Sequence, residues 1–524
     1  MAKSMIRLQK ITIQNLKNVR MGNIRFTCNL WEDIYERKAD VLGVYGQNGS
    51  GKTTLICALS LLKGLMSGTA LPMNFSNMIT CGEQAAVCSF EFSVVTEEQE
   101  KYKVVYEVTF SKEVDIIQRK FLDKDQEELA KCRKELAEDQ EELSEDQKRT
   151  RIDLKSNLKV NSKLEAKRDT QVERSVTITS EILSISKLQS NRYEKSKTVK
   201  VFVKKEYENE NGMLSIKVSP KNLLSDLFRD KKEYHLEELL TRAHQNGISY
   251  LFSKDMLTMI SEVSNSDLLK IICQLNYYAT YQLHIISNVQ SGVINANIAL
   301  PFSFVLDDKK TVSMLYGSLK LNGTSLLPKE FTPMIQQKIE LVNVVLGELV
   351  PGLSIRLVEL EEQKGENGED LIETQLYARR GEHEILLQYE SDGIKKLISI
   401  LYAVILAYKD SSVTVAIDEL DSGIFEFLLG ELLQIFEESG QGQLLFTSHN
   451  LRPLEVLNKK NILFTTTNEN HRYLRLQNVR TNQNLRDFYY HDIILGGQKE
   501  CIYEMTNPYV IRRALKMAGD NDGK

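Results

Sequence analysis

The chain has 524 residues, too many for one ordinary domain, so two or three units are expected. A hydrophobic share of 42% with 27% charged residues fits a globular protein and excludes a disordered or fibrous one. The formal charge of -5 gives no support for a broad nucleic-acid-binding surface, while leaving room for a local basic groove.

Seven scattered cysteines form no C-x-x-C pair, which fits free thiols in a reducing compartment. Residues 1–10 lack the apolar core of a signal peptide, and the most apolar run, 397–407, is too short to span a bilayer. A cytoplasmic location is expected. Residues 6–15 alternate apolar and polar side chains (Ile6, Leu8, Ile11, Ile13), and residues 24–28 read as a second strand. The apolar run at 41–45 reads as a buried third strand, and the three are expected to make a first β-layer.

That third strand runs into Gly46-x-x-x-x-Gly51-Lys52-Thr53, and Leu55, Ile56, Ala58, Leu59, Leu61 and Leu62 follow at helical spacing. A glycine-rich loop between strand and helix is the context a phosphate-binding loop requires. Gly46, Gly49 and Gly51 allow the backbone to close on a polyphosphate, with Asn48, Ser50 and Thr54 in the same cradle. The helix N-terminus adds a positive dipole end. Lys52 is placed to reach the β- and γ-phosphates, and the Thr53 hydroxyl suits Mg²⁺. ATP and Mg²⁺ are the expected ligands.

Residues 87–95 and 103–110 read as two further strands. From 83 to 211 there is neither Gly nor Pro, and Leu122, Leu129, Leu136 and Leu143 recur every seven residues among charged side chains. This predicts a long helix with a thin seam. Val176, Ile178, Ile182, Leu183, Ile185 and Leu188 suggest a returning helix, giving a projecting hairpin; a solvated single helix or a charged disordered segment is the alternative. With no C-x-x-C at its tip, the hairpin is not a zinc hook. Residues 201–207 and 213–218 read as a β-hairpin and 223–288 as helical, with Tyr277, Tyr278 and Tyr281 as core or edge aromatics.

The chain turns α/β again near 313, with a helix at 331–349, strands at 353–360, 371–378 and 384–388, and a helix at 394–408 opened by Glu390-Ser391-Asp392-Gly393. The division expected is a first ATPase lobe (1–112), a coiled-coil-like insertion (113–202), a hairpin-plus-helix insertion (203–308) and a second lobe (309–524). Residues 412–417 form a buried-strand pattern ending in Asp418-Glu419. Asp418 would hold Mg²⁺ and Glu419 would polarise the attacking water as general base. A further apolar strand at 442–447 ends beside His449, placed to bond a γ-phosphate at the C-terminal edge of the sheet.

The run from Gly46 to Thr53, Ser391-Asp392-Gly393, Asp418-Glu419 and Thr447-Ser448-His449-Asn450 resemble the Walker A, signature, Walker B and switch-histidine motifs of ABC-type ATPases. Asn48-Gly49-Ser50-Gly51-Lys52-Thr53 and Ile11-x-Ile13-x-Asn15-Leu16-Lys17-Asn18-Val19 are similar to the subgroup of SMC proteins, recombination ATPases and bacterial phage-defence ATPases. The signature is degenerate and Leu420-Asp421 replaces the proline of transporter subunits. The resemblance spans about residues 1–110 and 310–470. It implies an α/β P-loop fold of ABC type, split by the helical insertion. It also implies that two copies sandwich ATP, each loop facing the other copy's Ser391 and Gly393. A homodimer or larger even oligomer follows. Gln84 and Gln118 are the two Q-loop candidates, and Lys17 is a further phosphate contact by analogy.

Function is expected to lie with the defence ATPases, which include Septu, PARIS and retron-associated ATPases: an ATP-driven sensor or scaffold controlling a separate effector, a nuclease encoded nearby. A phage protein or DNA is the expected trigger. Overcoming-lysogenization-defect nucleases carry their own C-terminal nuclease domain; about seventy residues follow His449 here, so no nuclease is expected in this chain. The alternative is an SMC-like DNA-repair ATPase, which binds DNA through an ATP-closed dimer; tight, salt-sensitive DNA binding by the protein alone would favour it.

Overall fold

A computed structural model describes residues 4–28, 31, 38–112, 176–208, 211–220, 234–262, 266–295, 299–308, 311–365, 368–476, 484–495 and 498–521. Two sheets carry the candidate site. The first is antiparallel, in the order β2-β1-β4-β5-β6-β8-β9. Its strands are β1 (Met5–Leu16), β2 (Val19–Arg25), β4 (Ala85–Val95), β5 (Lys101–Lys112), β6 (Val176–Gln189), β8 (Lys197–Glu208) and β9 (Asn211–Ser219), with β7 (Arg192–Tyr193) beside β6. Burial alternates along β4 and β5, as the sequence pattern requires of strands with one wet face.

The second sheet runs β10-β17-β18-β3-β19-β20: β10 (Leu283–Ile286), β17 (Thr414–Ile417), β18 (Gln443–Thr447), β3 (Asp40–Tyr45), β19 (Ile462–Thr465) and β20 (Tyr473–Leu474). It is parallel from β10 to β19. Every residue of β3, β17 and β18 is buried, because a parallel sheet is covered on both faces. Helix α1 (Lys52–Met66) leaves the phosphate loop and packs into the core shared with the first sheet.

Helices α2 (Tyr234–Gln245), α3 (Lys254–Glu262) and α4 (Asp267–Tyr277) complete that core. Helix α5 (Asn288–Asn295) and the hairpin β11 (Ala299–Asp308) and β12 (Thr311–Lys320) lead to the third sheet. That sheet holds β13 (Ser325–Pro328), β14 (Leu353–Lys364), β15 (Asp370–Arg380) and β16 (His383–Leu386). Helices α6 (Thr332–Leu349), α7 (Asp392–Lys409), α8 (Glu426–Ser439), α9 (Pro453–Val456), α10 (Leu485–Leu495) and α11 (Pro508–Asn521) complete the chain. No helix among the described residues is long and apolar enough to cross a membrane.

Three expectations change. The strand at 40–45 does not share a layer with β1 and β2; it lies inside the parallel sheet, between β18 and β19. Residues 176–189 form β6 rather than a returning helix, and β6 and β8 extend the first sheet past the boundary expected at 112. The span read as wholly helical contains β10, which joins the parallel sheet beside β17. The leucine heptads, Gln118 and the tip of the expected hairpin lie outside the described residues.

The two sheets are joined by side chains. Gln443 accepts from Leu8 N at 2.8 Å and donates to Leu8 O at 2.8 Å, as a neighbouring strand would. Buried Arg7 donates to the carbonyls of Ser411 (3.1 Å) and Lys38 (2.7 Å). Charged donors buried against carbonyls are costly to remove, so this joint locks β1 to the parallel sheet.

Candidate nucleotide site

The site forms where β3, β17 and β18 end side by side. β3 stops at Tyr45 and the chain turns through Gly46, Gly49 and Gly51, with φ of 149°, 76° and 99°. These left-handed values favour glycine, which has no Cβ to strain. At Gly46 there is also no space: an added Cβ would meet Thr465 Oγ1 at 1.8 Å. Gly49 has open space around it. Lys52 opens α1 and is buried; its Nζ donates to the carbonyls of Gly46 (2.7 Å) and Gln47 (3.1 Å). Burial lowers its pKa, opposed by the nearby charges of Asp418, Glu419 and Asp421.

The acidic half comes from a stretch more than 350 residues away. Asp418 is buried at the end of β17, with its backbone N–H donating to Ile286 O at 2.9 Å. Its Oδ1 accepts from Thr447 Oγ1 at 2.6 Å and lies 3.5 Å from Thr53 Oγ1. Its Oδ2 is buried with no hydrogen-bond partner. A buried carboxylate with one oxygen unsatisfied and the other near a threonine hydroxyl offers the oxygen donors that Mg²⁺ takes alongside substrate phosphates. The residues fit the metal, and Thr53 and Asp418 are the side chains that would hold it.

Glu419 has φ of 48°, a rare conformation for a side-chain-bearing residue, and its N–H donates to Thr447 Oγ1 at 2.8 Å. Its carbonyl accepts from the buried Lys396 of α7. Lys396, like Lys52, has its pKa lowered by burial and faces Asp421, Glu419 and Asp418. Two buried ammonium groups thus face the carboxylates, Lys52 from the start of α1 and Lys396 from α7. His449 is exposed just past β18; its N–H and that of Asn450 donate to Asp421 Oδ2 at 3.1 and 2.9 Å.

Ser391 caps α7, accepting from Ile394 N at 3.4 Å. Gly393 sits so close to Gly423 that a Cβ there would meet Gly423 O at 1.8 Å. Among the described residues, no hydrogen bond or ion pair joins the Ser391-Asp392-Gly393 turn to its own chain's phosphate loop. So Lys52, Thr53, Asp418 and Thr447 come together directly, with Glu419 and His449 at the same sheet edge, while Gly393 packs against the loop after Glu419, at Gly423.

Sequence reasoning missed the loop's supports. Asn18 donates to Gly49 O and accepts from Thr54 Oγ1 at 2.8 Å. Arg472 donates to Asn18 O at 2.6 Å, and Tyr473 OH donates to Gly51 O at 2.7 Å. Lys17 lies beside the Cys57 thiol on α1. Asn18 sits in the run Lys17-Asn18-Val19 that carried the resemblance, but no pattern distinguishes the residue that clamps from its neighbour. Gln84 lies just before β4, where its carbonyl accepts from Lys112 N at 2.9 Å.

A parallel sheet whose edge gathers a phosphate loop and a buried carboxylate defines a P-loop protein of mixed α/β fold. The chain belongs to the family described as "AAA domain, putative AbiEii toxin, Type IV TA system", matched over residues 41–455. It is similar to the Smc head domain of Pyrococcus furiosus bound to the C-terminal domain of ScpA, at 12% identity and TM-score 0.34, covering 90% of this chain and 96% of that one. It is similar to the SMC head domain of Thermotoga maritima, at 11% identity and TM-score 0.33, covering 90% and 99%. The recombination mediator RecF with ATP gives 11% identity, TM-score 0.31, and coverage of 85% and 94%. No curated protein matches the chain.

Proposed function

We propose that the chain is a Mg²⁺-dependent ATPase, of ABC type, that acts as an ATP-driven sensor or scaffold in bacterial defence against phage. The observation carrying the catalytic part is Asp418: buried, with one oxygen bonded to Thr447 and 3.5 Å from Thr53 Oγ1, and the other unsatisfied. When bound, Mg²⁺ would neutralise charge on the phosphates. Lys52 releases its two loop carbonyls and turns to the β- and γ-phosphates. Glu419 orients the attacking water and accepts its proton, and His449 reports on the γ-phosphate position. A second copy supplies Ser391 and the N-terminus of α7.

The defence role is supported by the description of the family and by the resemblance of the phosphate-loop and opening-strand motifs to phage-defence ATPases. The effector in this reading is a separate protein, a nuclease encoded nearby. The test is Glu419→Gln. It should keep ATP binding, lose turnover by about 100-fold or more, and accumulate an ATP-bound multimer in light scattering. Hydrolysis at the wild-type rate would remove Glu419 as the base. Tight, salt-sensitive binding of DNA by the isolated protein would favour a repair role instead.

A further inference from the structure

Two exposed apolar surfaces flank the candidate site. The first surrounds Ser391. Tyr389 is 72% exposed and Phe425 68%. The close packing of Gly393 on Gly423 brings the start of α8 to the start of α7, so Tyr389, Phe425 and Phe427 share one end of the lobe. The rings of Phe425 and Phe427 lie 5.7 Å apart, and the Arg452 guanidinium covers one face of Phe427 at 4.7 Å. Exposed Glu426 supplies an acidic group at the patch, while Asp392 is paired with Lys395 at 2.8 Å.

The second surface hangs beside the phosphate loop. Glu504 N donates to Gln47 Oε1 at 3.0 Å, and Thr467 N donates to Cys501 O at 2.9 Å. These bonds and the buried Ile502 pin the chain against the loop. Beyond Glu504, every side chain through 518 is exposed. At helical spacing, α11 places Val510, Ile511, Ala514 and Leu515 on one face and Arg512, Arg513 and Lys516 on the other. Leu515 is 69% exposed. An amphipathic helix with its apolar face in water lacks the partner that its pattern is built to meet.

We infer that α11 of one copy docks on the Tyr389–Phe425–Phe427 patch of a second copy, strapping the ATP-closed pair together. The inference rests on the two-copy reading above. In that arrangement each phosphate loop meets the other copy's Ser391, so the pinned segment at 500–504 delivers α11 beside the partner's aromatic patch. Its 14 residues span about 21 Å, enough to cross such a patch. The basic edge of α11 meets the exposed carboxylate of Glu426, and the two-fold relation makes the contact occur twice.

The test uses the full chain carrying Glu419→Gln, with ATP and Mg²⁺. Self-association is read by sedimentation velocity and nucleotide binding separately, with a fluorescent ATP analogue. Ile511→Glu combined with Leu515→Glu changes only exposed positions, and thermal melting checks its fold. The expected result is nucleotide affinity within about twofold and dimerisation weakened about tenfold or more. Glu426→Arg should weaken the dimer likewise, and adding Arg512→Glu should restore it. Unchanged dimerisation in the double variant overturns the strap, as does a parent chain that binds the analogue but remains monomeric. A parent chain that fails to bind the analogue overturns the nucleotide reading itself, a distinct outcome.

Discussion

Lys52 shows how a single side chain is tuned for a polyphosphate. Its ammonium is buried and held by two carbonyls of its own loop, which cost little to release compared with the charge it would gain. Lys52→Ala should weaken ATP binding by about 100-fold, measured by titration calorimetry, without changing the melting temperature appreciably. Unaltered affinity would remove Lys52 from the site. The glycines, Lys52, Thr53 and the Asp418-Glu419 pair were legible because their chemistry demands those residue types next to one strand end. Asn18, Thr465 and Tyr473 were not legible: each acts through a fold-specific contact with backbone or hydroxyl that no spacing encodes.

At the scale of elements, the misread strand has a physical cause. Ile178, Ile182, Ile185 and Leu188 keep helical spacing, yet the buried positions of β6 are Thr177, Ile178, Glu181, Leu183 and Ile185. A register shift opposite Thr109 and Phe110 breaks the period-two phase. Glu181 then occupies an inward position, satisfied by Tyr106 OH, Ser249 Oγ and the N–H groups of Tyr250 and Leu251. β10 was missed because four residues following a helix give too little pattern to read. Its His284 is buried, with the pKa driven by burial from near 6.5 to about 3. The folded state thus binds fewer protons than the unfolded one across that window, so stability falls as the solution is acidified from 6.5 towards 3. Between pH 7 and 5 this one group should cost about 2 kcal/mol. Denaturant midpoints at the two pH values should show that loss in the wild type and a smaller one in His284→Gln; equal losses would refute it. The packing of α7 on the loop after β17 makes a second prediction. Gly393→Ala forces a Cβ into Gly423 O and pushes α7 from the loop that carries Glu419. Turnover should fall about tenfold or more with nucleotide affinity preserved; unchanged turnover would separate α7 from catalysis.

For the whole molecule, the order of the parallel sheet matters most. β3 lies between β18 and β19, so a strand from near the start of the chain enters a sheet otherwise built from its C-terminal half. Gln443 and Arg7 fasten the antiparallel sheet to the N-terminal ends of β3, β17 and β18, opposite the site. The motifs were readable as separate pieces, but their convergence is a property of this strand order. The most direct measurement is calorimetric titration of ATP, with and without Mg²⁺, into the wild type and Asp418→Asn. Mg²⁺ should strengthen ATP binding about tenfold or more in the wild type and have little effect in the variant. An equal Mg²⁺ effect in both proteins would mean that residues 46–53 and 418–449 do not act as one site.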